Sequence, residues 1–123
     1  METMDDRRGV FIDTNILIYA SIGGSPFYQS AQDAIRRLEE ENAELFIKAV
    51  RHFEEDFTVF NDDLGVTEQL LELAETVSVS GKQIHDANIV ATMLVNDVHE
   101  LLAHNVSDFK RFSSQIEIIP LII

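Results

Sequence analysis

The amino-acid sequence predicts an α/β fold with a mainly parallel central sheet flanked by helices, in a single domain over residues 1–123. Short apolar runs, VFI at 10–12, LFI at 45–47, ELLA at 100–103 and EII at 117–119, alternate with stretches of helical periodicity, the pattern of β-α-β construction. Two of these runs pass directly into polar residues of ligand type, as strands do where they open onto a binding edge. The length of 123 residues supports one core and no second domain.

Taken in order, Met1–Arg8 is polar and expected to fray, and the first strand begins at Gly9 or Val10. It delivers Asp13 at its carboxyl end, followed by Thr14 and Asn15 and a short helix to Ala20, which the Gly23-Gly24-Ser25-Pro26 cluster stops. Asp13 has two readings: an N-cap for that helix, or a carboxylate whose burial among apolar neighbours calls for a cation. From Pro26 to Glu41, apolar Phe27, Ala31, Ala34, Ile35 and Leu38 recur every three or four residues, an amphipathic helix. Glu44–Ile47 follows as the second strand, Lys48–Phe57 as a helix, Thr58–Phe60 as an edge strand, and Asn61-Asp62-Asp63 as a turn.

Leu64–Thr76 and Ile84–Asn96 carry the next two helical patterns. The second is apolar nearly all round, with Asn88, Thr92 and Asn96 forming one narrow polar stripe. At about 100° per residue, Asp86 falls away from that stripe, in line with Val90 and Met93, so its carboxylate faces inward from the first turn. The helix dipole favours an anion there by only about 0.3–1 kcal/mol, well below the several kcal/mol that desolvating a carboxylate costs. After the strand Glu100–Ala103 come His104, Asn105, Val106, Ser107 and Asp108, a turn over Phe109–Phe112, and a last strand over Glu117–Ile119.

Composition narrows the function classes. A formal charge of −13 argues against a broad phosphate-binding surface, so an RNA substrate requires a local reversal of sign, which divalent cations in a carboxylate cluster supply. The absence of cysteine removes disulfides, thiolate zinc sites and cysteine nucleophiles. No apolar run reaches the roughly 20 residues of a membrane span, and the start METMDDRRG lacks a signal-peptide core, so the expected location is cytoplasmic with no membrane partner.

Asp13, Asp86, Asn105 and Asp108 share one context, each at a strand end or a helix start. Right-handed crossovers in a parallel sheet bring the carboxyl ends of neighbouring strands together, so these residues are expected in one pocket. Carboxylate and amide oxygens suit Mg²⁺ or Mn²⁺ rather than zinc.

The phrases VFIDTNILIYA, IHDANIVATMLVN, HELLAHNVSDFKRF and IEIIP, in this order and spacing, resemble the PIN domain, in particular the single-domain ribonucleases of the VapC toxin type. The resemblance covers Gly9–Ala20 and Gly81–Pro120, with a vaguer middle. It implies a metal-dependent endoribonuclease, a toxin blocked by an antitoxin protein, and a homodimer. It also implies roles: Asp13 and Asp86 as the first and third acidic ligands, Asn105 with Asp108 as the last acidic region, and Thr14 and Asn15 as supporting groups. Asp13, Asp86 and Asp108 are then the catalytic candidates, and these three with Asn105 the metal ligands.

Three departures accompany the resemblance. Ala103 stands where the family usually has Thr or Ser, and Asn105 where many members have Asp. The glutamate that the family carries on a helix after the second strand has no clear counterpart: Glu54 stands near its place by ungapped counting, but Lys48–Phe60 reads better as the family's next helix and edge strand, with the glutamate-bearing helix absent. A segment omitted between Ile47 and Lys48 is a further account.

Other readings stay open. A PIN-like module could bind RNA or protein without cleavage. A phosphatase using Asp13 as nucleophile lacks the expected second aspartate, because position 15 is Asn. His52, His85, His99 and His104 are too scattered for a histidine metal site. Lys82, Lys110 and Arg111 flank the expected pocket and are candidates for phosphate contacts, with solvated side chains as the plainer account.

Overall fold

A computed structural model describes residues 7–48, 58–60, 64–76 and 83–122. Five strands, β1 (Gly9–Ile12), β2 (Glu44–Lys48), β3 (Thr58–Phe60), β4 (Glu100–Ala103) and β5 (Glu117–Pro120), form one sheet in the order β3-β2-β1-β4-β5. All four strand pairs are parallel. The helices are α1 (Thr14–Ser21), α2 (Tyr28–Glu40), α3 (Leu64–Thr76), α4 (Ile84–Val95) and α5 (Val106–Phe109), the last continuing into a 3₁₀ turn at Lys110–Phe112. The order reverses at β1, whose two neighbours β2 and β4 lead away in opposite directions, so β1 marks the switch point where α/β sheets open a crevice.

Side-chain alternation along the central strands divides the core into two layers. Val10, Ile12 and Leu102 pack with Ile16, Leu17, Ala31 and Leu38 on the side of α1 and α2. Phe11, Leu101 and Ala103 pack with Val66, Leu73, Ile89, Val90 and Met93 on the side of α3 and α4. Each large apolar side chain buried this way is worth roughly 1.5–3 kcal/mol against exposure. Because α4 lies over the sheet and also packs on α3, it is buried at Ala87, Ile89, Val90, Ala91 and Met93, which accounts for its nearly uniform apolar sequence. Its buried polar residue Thr92 is satisfied by donating to the carbonyl of Asn88 at 2.8 Å.

The helices α2 and α4 stop in the same way. Asn42 (φ 60°) and Asp97 (φ 58°) adopt left-handed backbone just beyond them, and the N–H groups of Ala43 and Val98 return to Leu38 and Met93. Two expectations need correction. Arg8 is not frayed: its carbonyl accepts the Glu44 N–H at 2.8 Å and its guanidinium engages Glu100 and Glu41. Lys48 does not begin a helix, because its backbone continues β2 opposite Phe60 and takes its partners from the ladder. The strand passes through Ile47 and Lys48 without a break. Residues 49–57 join β2 to β3, fewer than the dozen or so usual for a parallel crossover, and the rest of the helix expected over Lys48–Phe57 lies outside the described residues. Glu54, the Asn61–Asp63 turn and Lys82 lie outside the described residues.

Candidate functional site

Asp13 is fixed by the sheet itself. Its N–H donates to the carbonyl of Leu102 at 3.0 Å, continuing the ladder between β1 and β4 one step past Ile12. Alternation sends Ile12 toward α1 and α2, and therefore Asp13 toward α4, on the same side as Phe11 and Ala103. The register places Ala103 beside it, so the position at which the resemblance expects a hydroxyl carries only a methyl group.

Asp13 is 4% exposed. It stands at the N-cap of α1 but makes no capping hydrogen bond. Its backbone carbonyl does accept the N–H groups of Ile16 and Leu17, and the N–H groups of Thr14 and Asn15 favour its ionised form. Desolvation outweighs them, and with repulsion from Asp86 it pushes the carboxyl up to about 6 from 3.8. The backbone of Asp13 thus caps α1, while its carboxylate meets the first-turn N–H groups of Thr14 and Asn15 without a capping hydrogen bond.

Asp86 occupies the first turn of α4, half-buried, beneath the fully buried Val90 and Met93. Burial raises its carboxyl, as does the charge of Asp108, while His85 and Arg111 pull it down. Asp86 is accordingly the common neighbour, close enough to both Asp13 and Asp108 for their charges to act. Asp108 lies in the first turn of α5 and is exposed, its N–H bonded to the carbonyl of Asn105 at 3.0 Å. Asn105 caps α5 through its backbone alone and is also exposed.

Three of the four expected residues are therefore in electrostatic contact, and Asn105 shares their edge by its place at the head of α5. Among the described residues, no group of three His, Cys, Asp or Glu side chains is drawn together closely enough to hold a metal ion by itself. Mg²⁺ asks for less, since it keeps several waters and binds through one or two carboxylates. The oxygen-only donor set fits such an ion. Arg111 adds positive charge beside Asp86 and is steadied by donating from Nη1 to Oε1 of Gln83, the residue that precedes α4.

Sequence reasoning missed one feature of this edge. His104, the first residue after β4, packs on Phe27 (ring centroids 4.4 Å) and Tyr19 (5.6 Å), and its Nδ1 lies 3.3 Å from the Tyr19 hydroxyl. The available signal was alternation: following Ala103, position 104 turns toward α1 and α2.

A search of known protein families finds no match to this chain, and no curated protein matches it in sequence. Solved structures do. A chain of a toxin–antitoxin complex from Klebsiella pneumoniae superposes with a TM-score of 0.66 at 20% identity, over 92% of this chain and 98% of that one. A chain of the FitAcB structure from Neisseria gonorrhoeae gives 0.61 at 9% identity, over 89% and 96%. Similarity at this level defines the architecture: this chain has a PIN-like α/β fold, with its acidic crevice at the carboxyl ends of β1 and β4.

Proposed function

We propose that the chain is a metal-dependent endoribonuclease, the toxin of a toxin–antitoxin pair, acting in the cytoplasm. The observation that carries this reading is the chain of like charges at the switch point of a PIN-like sheet, Asp86 acting on the buried Asp13 and Asp108 acting on Asp86, with His85 as the one opposing charge on Asp13 among the described residues. Asp13 and Asp86 would hold Mg²⁺ or Mn²⁺, and Asp108 and Asn105 would complete the site directly or through water. The chemistry such an ion would supply is activation of water and compensation of the charge that builds on a phosphodiester under attack.

The remaining steps belong to the chain. Near pH 7.5 Asp13, with its carboxyl at about 6, is ionised and ready to bind a cation. Arg111, anchored to Gln83, meets a phosphate oxygen beside Asp86 and supplies locally the positive charge that a chain of net −13 otherwise lacks. Ala103 packs without offering a hydroxyl, so the backbone of Asp13 is held by the sheet ladder and its carboxylate meets the N–H groups of Thr14 and Asn15. A basic antitoxin segment covering the acidic crevice, and a second copy of the chain, are the partners we assign to it.

The test is incubation of the pure protein with labelled RNA and Mn²⁺, alongside Asp13→Asn and Asp86→Asn. Cleavage by the parent chain and none by either variant is expected; cleavage that survives in both overturns the assignment. The competing reading, a PIN-like module that binds RNA or protein without cutting, draws on Ala103 and on the lack of a preformed three-acid group among the described residues. It is selected if the parent chain leaves RNA intact.

A further inference from the structure

The cluster of Tyr19, Phe27 and His104 is placed oddly for a purely structural contact. His104 stands one residue beyond the level of Asp13 on the adjacent strand, because Ile12 pairs with Leu102. With strands about 4.8 Å apart and a rise of about 3.3 Å per residue, their backbones are about 6 Å apart. All three rings are only partly buried, although Tyr19 and Phe27 border the core on the α1 and α2 side. The rings are tilted rather than stacked face to face, at 49° for Tyr19 with Phe27 and 51° for Phe27 with His104. The Tyr19 hydroxyl donates to Nδ1 of His104 in the tautomer that leaves Nε2 as a donor, which fixes the imidazole and gives it a polar tip.

We propose that Tyr19, Phe27 and His104 form a nucleobase subsite, in which a base next to the cleaved phosphate packs on the exposed part of the ring cluster and accepts a hydrogen bond from His104 Nε2. This rests on the ribonuclease reading above. The acidic chain disfavours backbone-wide RNA contacts, so affinity at this edge must come from bases as well as from the ion, and aromatic side chains supply it without adding charge. The cluster lies on the α1 side of β1 and the acids on the α4 side, so RNA crossing the edge meets the acids and then the rings. Tyr19 is a positioning residue, acting through His104.

The experiment has two independent arms on the full chain. Binding of fluorescent ten-nucleotide A, C, G and U homopolymers is followed by anisotropy in Ca²⁺, and the bases flanking the cut are mapped on a randomised RNA in Mn²⁺. The parent chain is expected to prefer one base by about tenfold, His104→Ala to lose that preference, and Tyr19→Phe, which keeps the ring, to lose part of it. His104→Gln, a gentler change, is expected to weaken the preference without altering the thermal midpoint. Equal binding of all four homopolymers by the parent chain, or an unchanged preference in the His104 variants, overturns the subsite. A parent chain that cuts nothing but loses base preference with His104 refutes the nuclease reading and leaves the subsite standing.

Discussion

The two edges of the sheet treat charge in opposite ways. At the amino edge, Arg8 donates to Glu100 at 2.7 and 2.9 Å and to Glu41 at 2.9 Å, and Arg7 lies 3.7 Å from Glu44. This clamp joins the starts of β1, β2 and β4 to the end of α2. At the carboxyl edge of the same strands like charges adjoin, Asp86 acting on Asp13 and Asp108 on Asp86, and Asp13 gives up water there. One edge pairs opposite charges and the other gathers like ones, and the second lies at the switch point. Perturbed carboxyls in a crevice mark sites of chemistry more often than sites of structure, since a fold gains nothing from repulsion.

The comparison breaks most decisively at Asp13 and Asp86. Replacing either with Asn is expected to lower RNA cleavage at least about a hundredfold, the order found when a group central to charge stabilisation is removed. The same Asp13→Asn change is expected to raise stability at pH 7.5 without metal by about 3 kcal/mol, measured by urea unfolding, because the penalty of a buried charge disappears. Loss of both activity and stability would mean that Asp13 is a structural residue.

The second prediction concerns metal. Mn²⁺ at about 100 times its dissociation constant is expected to stabilise the parent chain by about 2.7 kcal/mol. Asp86→Asn should remove most of that gain, and an undiminished response would place the ion elsewhere.

The third concerns pH and carries a definite sign. The folded carboxyl of Asp13 titrates at about 6, above its ordinary 3.8, so folding takes up a proton between those values. Its contribution to stability is therefore full below about pH 4, falls as pH rises to about 6, and is flat beyond, a decline of about 3 kcal/mol. Urea midpoints in EDTA across this range should show the decline in the parent chain and a shallower profile in Asp13→Asn.

The smallest effect belongs to the amino edge. Arg8 is 42% exposed, so solvent and salt screen its pairs, and Arg8→Ala is expected to cost only about 0.5–1 kcal/mol. That loss should shrink in high salt and leave the Mn²⁺ response unchanged. A change in the metal response would tie the two edges together and dissolve the contrast.

Much of this was legible in the sequence, for physical reasons. Strands β1 and β4 are buried on both faces, so they appear as unbroken apolar runs, and their abrupt change to Asp13 and to His104-Asn105 marks the edge. The inward direction of Asp86 followed from helical periodicity alone. Contacts that depend on tertiary approach were not legible: Arg8 meets Glu100 across 92 positions, and Tyr19 meets His104 across 85. Lys48 carried a helical pattern, and pairing with β3 overrode it. A counterpart to the glutamate that the resemblance implies was not legible in the short interval after β2, and Glu54 lies outside the described residues.

The central claim is that Asp13 and Asp86 share one cation, and anomalous diffraction from crystals soaked in Mn²⁺ tests it most directly. The account predicts a manganese peak bonded to carboxylate oxygens of both residues, with Asp108 or Asn105 reached directly or through water. Manganese bound only elsewhere, with the carboxylates of Asp13 and Asp86 left uncoordinated, would contradict it.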